Sequence, residues 1–212
     1  MISVPGIKYQ RELEALPYFN KKTAQFLIGK KGRNLEKKIS WLKKKDYLRN
    51  LKKGLYVTTA FVNQAEKEGF IEYVANILRY PSYISLEYVL AKEGMIPEGV
   101  AVVTSVTLKS SRAFTNFLGT FVYRNIKPPL FLGFQEKSFA DKTFLVATKA
   151  KALFDFLYLK KMSNLKQEIL KDLRLNWDAF NPSDWQDFER FVLVSRSFKM
   201  KKIYYILEKE AL

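Results

Sequence analysis

The 212-residue chain contains no cysteine and no histidine. Lack of cysteine excludes a disulfide framework, a thiolate zinc site and a thiol nucleophile. Lack of histidine removes the commonest metal ligand and the side chain best suited to proton shuttling near neutral pH. No apolar run approaches the ~18 residues that a membrane span needs. The opening residues Met1-Ile2-Ser3-Val4-Pro5-Gly6 lack the charged region, apolar stretch and small-residue cleavage site of an export signal. There is no repeat of fixed period and no low-complexity tail. Together these absences predict a cytoplasmic protein with no cofactor, no metal and no membrane contact.

Acidic side chains are also in short supply, and unevenly so. The chain has 37 Lys+Arg against 21 Asp+Glu, a net charge of +16. Residues 1–60 hold 15 basic and 4 acidic side chains, net +11, whereas the remaining 152 residues hold 22 and 17, net +5. A field of that sign attracts polyanions, so a polyanion site belongs in the first quarter, although a basic surface also serves solubility. What the chain has in plenty is apolar mass: 48 % hydrophobic residues, with 17 Phe and 12 Tyr, argue for a folded protein. Its length suits one domain with a good core, or a small domain joined to a medium one.

Ile7, Leu13 and Leu16 among charges, closed by Pro17, predict a short first helix over 7–16. Asn20 is placed to cap a second helix carrying Ala24, Leu27 and Ile28, which Gly29 stops. Gly29-Lys30-Lys31-Gly32 reads as a turn, and a third helix starts near Arg33 or Asn34 and runs to about Lys45. Short strands over 47–51 and 55–59 flank the turn Lys52-Lys53-Gly54. Three helices followed by a basic hairpin is the order of a winged helix-turn-helix.

Residues 61–78 read as helical but interrupted at Gly69, with the domain boundary near 60–80. A helix over 84–93 follows, with Ser85 as N-cap and Gly94 as terminator. Segments 100–108 and 120–126, rich in strand formers, predict a strand pair, and 130–134 and 144–147 two further strands. From Thr148 onward helical periodicity returns, first in Ala152, Leu153, Phe156, Leu157 and Leu159, then over 165–173, 185–194 and 203–207. The predicted fold class is α+β: a winged helix-turn-helix over 1–60, a connecting helical region over 61–80 and a mixed α/β domain over 81–212.

At about 100° per residue, Leu35, Ile39 and Leu42 of the third helix fall on one narrow stripe, suited to packing on the first two helices. Arg33, Lys37, Ser40 and Lys44 fall opposite, with Asn34 at the helix start. Long cations reach phosphates and guanine edges, and a small hydroxyl permits close approach, so this row has the chemistry of a recognition helix. Trp41 lies at the edge of the row, where core packing suits it better than contact with a sugar backbone. Arg49, Lys52 and Lys53 on the hairpin complete the candidate DNA-binding set. If about six such cations meet phosphates, the log–log salt slope of binding is roughly −5. The plain alternative is that Lys37, Lys38, Lys43, Lys44 and Lys45 form a solvated helix face; the neighbouring hairpin and the local charge excess favour DNA.

Several blocks, in order, resemble the AbiEi antitoxins of bacterial abortive-infection systems. They are Lys53-Gly54-Leu55-Tyr56 after the basic helices, Pro81-Ser82-Tyr83-Ile84-Ser85-Leu86-Glu87-Tyr88-Val89-Leu90, Gly94-Met95-Ile96-Pro97-Glu98, Val103-Thr104-Ser105-Val106-Thr107, Gly119-Thr120-Phe121-Val122-Tyr123-Arg124, and Ala152-Leu153-Phe154-Asp155-Phe156-Leu157-Tyr158-Leu159. The resemblance implies a two-domain autorepressor that binds an inverted repeat in its promoter and counteracts a co-encoded nucleotidyltransferase toxin, without forming a stable complex with it. Where that family has Pro-Glu-Lys before its Ala-Leu-Leu-Asp helix, this chain reads Ala147-Thr148-Lys149-Ala150-Lys151. A homodimer follows from the symmetry of such a site.

Tyr83, Tyr88, Thr104, Ser105, Thr107, Tyr123 and Arg124 either line a polar face of the second domain or are ordinary strand formers with a solvated arginine. Asp155, on an otherwise apolar helix, fits a structural ion pair better than catalysis. Two rival functions remain. A metal-dependent nuclease needs clustered carboxylates, commonly an Asp and a Glu-x-Lys on neighbouring strands. Here Glu36-Lys37-Lys38 lies on the third helix, and the predicted strands 100–108 and 120–126 carry no acid. Single-stranded RNA binding needs aromatics exposed on a sheet, whereas Phe144, Phe154 and Phe191 sit at inward-facing periodic positions.

Overall fold

The computed structural model describes residues 6–97 and 99–210, leaving aside the side chain of Glu210. Residues 1–5, on which the export-signal reading rests, Glu98 of the Gly94-to-Glu98 block, and residues 211–212 lie outside the described residues. The chain is mixed α+β and divides into two units. The first runs to Val74 and includes Thr115–Leu118; the second is Ala75–Phe114 and the chain from Gly119 onward.

The first unit opens with α1 (Gln10–Glu14), β1 (Phe19–Asn20), α2 (Lys21–Ile28) and α3 (Gly32–Lys44). Strands β2 (Leu48–Lys52) and β3 (Leu55–Thr58) form a hairpin, and α4 (Thr59–Gln64) and α5 (Lys67–Leu78) follow, α5 running past Val74 into the second unit. Asn20 caps α2 as expected: its Oδ1 accepts from the N–H groups of Lys22 and Thr23 at 2.8 and 3.0 Å. Gly29 ends that helix at φ +76°, the left-handed conformation a glycine adopts without strain. β1 was not foreseen, because two residues are too few to show a period. It pairs antiparallel with β3, Phe19 opposite Tyr56, and makes a three-stranded sheet in the order β1-β3-β2.

The break in the connecting helix falls at Ala65-Glu66 and not at Gly69, which lies inside α5. The Glu66 carboxylate takes the N–H groups of Glu68 and Gly69 at 2.7 and 2.6 Å and so starts a new helix. Leu13, Phe19, Leu27, Leu35, Ile39 and Leu42 belong to one buried cluster. Each such side chain contributes roughly 1.5–3 kcal/mol relative to exposure.

The second unit contains β4 (Ser82–Ile84), α6 (Glu87–Lys92), β5 (Val103–Thr107), β6 (Arg112–Asn116, whose last two residues are counted with the first unit), β7 (Gly119–Asn125), β8 (Phe134–Phe139) and β9 (Lys142–Ala147). The helices α7 (Lys149–Leu159), α8 (Leu165–Gln167), α9 (Pro182–Ser195) and α10 (Phe198–Glu210) follow, with a π-helical turn, Glu168–Asp172, after α8. Its sheet has the order β6-β7-β5-β4-β9-β8. β5 and β7 pair as expected, but in parallel, Val103 opposite Phe121 through Thr107 opposite Asn125. A parallel pair cannot be joined by a tight turn. The polar stretch between them is itself the edge strand β6, whose exposed residues gave no hydrophobic period.

Two further expectations are corrected. Residues 130–133 are the end of a 3-10 turn and a loop, and the strand begins only at Phe134, as the polar β8, which pairs with β9 at the other sheet edge. Ser85 does not cap a helix. The chain is a strand to Ile84, Leu86 at φ +63° is the N-cap of α6, and the Ser85 hydroxyl is engaged in the core.

Candidate nucleic-acid interface

In α3 the buried residues are Leu35, Ile39 and Leu42, the stripe the spacing predicted. Arg33, Asn34, Lys37, Ser40 and Lys44 are all exposed on the other side. Among the described residues, Arg33, Lys37 and Lys44 meet no carboxylate. The one acid of the helix, Glu36, is taken by Lys21 at 2.7 Å. That hydrogen bond, helped by charge, lowers the Glu36 pKa and raises that of Lys21. Both groups sit in water, so the pair adds little stability, but it cancels the only negative charge on the row.

No side chain caps the N-terminus of α3, and its first turn holds no acid. Its free N–H groups and the positive end of its dipole therefore face outward beside Arg33. At the other end Lys43 and Lys44 complement the negative end of the dipole.

Trp41 departs from expectation: it is 41 % exposed and outside the core. The stripe is filled by Leu42, one residue on, and leaves the indole at the rim, where Lys38 Nζ stands 4.2 Å above its ring. Partial burial, with Lys30 nearby, lowers the Lys38 pKa.

Of the predicted hairpin cations, Lys53 is exposed at the turn and Lys52 is half-buried. Arg49 is not a free surface cation. Its Nε and Nη2 donate to the Asp46 carboxylate at 3.0 and 2.9 Å, and its guanidinium lies 5.2 Å from the Phe117 ring centroid. The hydrogen bond to Arg49 holds Asp46 below the ordinary carboxylate range. The base of the hairpin is fixed by Tyr47, whose hydroxyl donates to Glu14 of α1 at 2.7 Å. Burial first, then that carboxylate, pushes the phenol well above its usual pKa.

Lys22, Lys30 and Lys31 are also exposed, at the start of α2 and in the turn before α3, and were absent from the predicted set. Their signal was present in the Lys-Lys pairs flanking the helices. Asn116 and Phe117 had no signal, since nothing in the sequence ties them to the hairpin.

A second polar constellation lies in the second unit. Lys151 and Asp155, one helical turn apart on α7, are 0 % exposed and paired at 2.6 Å. Tyr83 and Ser85 donate to the other carboxylate oxygen, each at 2.9 Å. The Lys151 ammonium also lies 4.7 Å from the Phe154 ring and 5.5 Å from that of Phe191. Burial drives Lys151 below its ordinary pKa and Asp155 above its own. Gly133, at φ +77°, completes the enclosure: a Cβ there would come within 2.5 Å of the Phe191 ring and 3.0 Å of Lys151 Cγ.

The cluster is closed to solvent, and Asp155 has the basic partner its sequence context called for. Tyr83, Thr104, Ser105, Thr107 and Tyr123 are buried as well, so they form no polar surface; of that set Arg124 is exposed. Phe144, Phe154 and Phe191 are buried. Among the described residues no three Asp, Glu, His or Cys side chains gather where they could hold a metal ion, and no helix is long and apolar enough to cross a membrane. Comparison with protein-family models and with curated proteins gave no match.

Proposed function

We propose that the first unit is a winged helix-turn-helix that binds duplex DNA, with α3 in the major groove and the β2–β3 hairpin against the flanking backbone, and that the protein is a transcriptional regulator. The observation that carries this reading is the division of α3: three aliphatics inward, and Arg33, Asn34, Lys37, Ser40 and Lys44 outward. The helix is preceded by a three-residue turn after α2 and followed by a hairpin, and the strand β1 ties the hairpin sheet back to the start of α2.

Four cations of the original set remain exposed: Arg33, Lys37, Lys44 and Lys53. If those four meet phosphates, they contribute about −4 to the log–log salt slope. Fluorescence anisotropy of a labelled promoter fragment against increasing NaCl measures it. Lys37→Glu with Lys44→Glu abolishes binding while the thermal melt stays within a few degrees of the parent. Normal binding by that variant, or tighter binding to single-stranded RNA than to duplex, overturns the reading.

The resemblance of the block order to AbiEi antitoxins supports placing the protein as an autorepressor, acting as a dimer on an inverted repeat, with toxin neutralisation assigned to the second unit. Co-expression with a nucleotidyltransferase encoded beside its gene tests that assignment. Rescue of growth by the chain from Ala75 onward supports it, and failure of the full chain to rescue removes it.

A further inference from the structure

We propose that Asn116 and Phe117 are positioning residues of the DNA interface, clamping the free edge of the hairpin and aiming Arg49 at a backbone phosphate. The proposal rests on the reading of β2–β3 as a wing. Both residues lie in the four-residue segment Thr115–Leu118 that belongs to the first unit, although Asn116 is 65 residues from its partner Leu51 in sequence.

β2 is the edge strand of the first unit's sheet, and its pairing slips between Asn50 and Lys52, leaving Leu51 without a partner on β3. A slip of this kind disrupts the ladder and lets the strand bend. Asn116 closes the gap: its Nδ2 donates to the Leu51 carbonyl at 2.9 Å, while its Oδ1 accepts from the Leu118 N–H at 2.8 Å. Both ends of the amide are thus used, which fixes its orientation and sets the height of β2 at the slip.

Phe117 works two residues earlier on the same strand, at Arg49. Its ring lies against the Arg49 guanidinium, which Asp46 holds through two hydrogen bonds. A guanidinium has five N–H donors, and these two bonds leave three. Held by a carboxylate and an aromatic face, Arg49 loses little further freedom when a phosphate arrives, which is how a preorganised contact gains affinity over a mobile one. The Asp46–Arg49 pair therefore presents the arginine to DNA and does not withdraw it.

The test uses the full chain, a labelled promoter duplex and a salt titration. Phe117→Leu keeps apolar volume and removes the ring, and Asn116→Ala removes the amide. Each lowers affinity roughly three- to tenfold, and Arg49→Gln flattens the log–log salt slope by about 0.9, one phosphate contact. In the Arg49→Gln background, Phe117→Leu has no further effect, a non-additivity that a purely structural role would not give. Additive losses, or unchanged affinity in Phe117→Leu, overturn the clamp. If Lys37→Glu with Lys44→Glu still abolishes binding in the same series, only the clamp has failed. If that variant binds normally, the DNA reading falls and the clamp with it.

Discussion

Helices α3 and α7 both carry an apolar stripe and both carry lysines, but the charge has opposite fates. On α3 the cations stand in water, and the single acid is neutralised by Lys21 from a neighbouring helix. On α7 the lysine at position 151 is sealed in the core against Asp155, and Lys149 is bound to Asp184 at 3.2 Å and to the Ala179 carbonyl at 2.6 Å. The first helix has charge left over for a ligand, whereas the second uses its charge internally. A count of basic residues does not distinguish the two; the position of the nearest acid does. Asp155 stands four residues from Lys151, on the same helical face, while α3 offers Lys37 and Lys44 no such partner.

The contrast is broken most forcefully at Lys151. Replacing it by Met leaves a buried carboxylate without its cation, which costs about 3–5 kcal/mol in urea-unfolding measurements. Lys151→Met with Asp155→Asn, which keeps an acceptor for Tyr83 and Ser85, recovers most of that loss. In the single variant the deficit shrinks on acidification. Burial raises the folded pKa of Asp155, so its contribution to stability is full below the unfolded pKa and is lost as pH rises through the folded value. A loss below about 1 kcal/mol, or a deficit that grows in acid, contradicts the account. On α3 the equivalent change, Lys37→Gln, leaves stability within about 0.5 kcal/mol. It acts instead on DNA, flattening the salt slope by about one unit.

Much of the first unit was legible in its sequence because its signals are local. Asn20 and Gly29 bracket α2, and the 35, 39, 42 spacing sets the inward face of α3. What was missed there depends on distant residues. Phe117 and Asn116 engage β2 through contacts that no period encodes, and so turn Arg49 from a free cation into a held one. Trp41 went to the rim because Leu42 had already filled the stripe. In the second unit the strong β-formers in β5 and β7 were readable, but β6 and β8 lie at sheet edges and carry mostly polar side chains. Ser85 looked like a helix cap since capping and core hydrogen bonding ask for the same hydroxyl; the nearby Asp155 decided between them.

Smaller effects sharpen the picture of the first unit. Asn20→Ala removes the cap that sets the start of α2 and lowers stability by about 1 kcal/mol, read from the shift in the denaturation midpoint at unchanged slope. Smallest is the titration of Asp46. Its pKa is depressed by Arg49, so whatever the pair contributes is present above the unfolded pKa and fades as pH falls through the folded one. In a carboxyl NMR titration Asp46 moves up to the ordinary carboxylate range in Arg49→Gln. No movement would show that the pair does not persist in solution.

The central claim is that the outward row of α3 meets duplex DNA, and covalent lysine footprinting addresses it most directly. On addition of a promoter duplex, Lys37 and Lys44 lose reactivity towards an acylating reagent, while the exposed Lys161 and Lys171 of the second unit keep theirs. Protection of Lys161 or Lys171 with Lys37 and Lys44 still reactive would contradict the account.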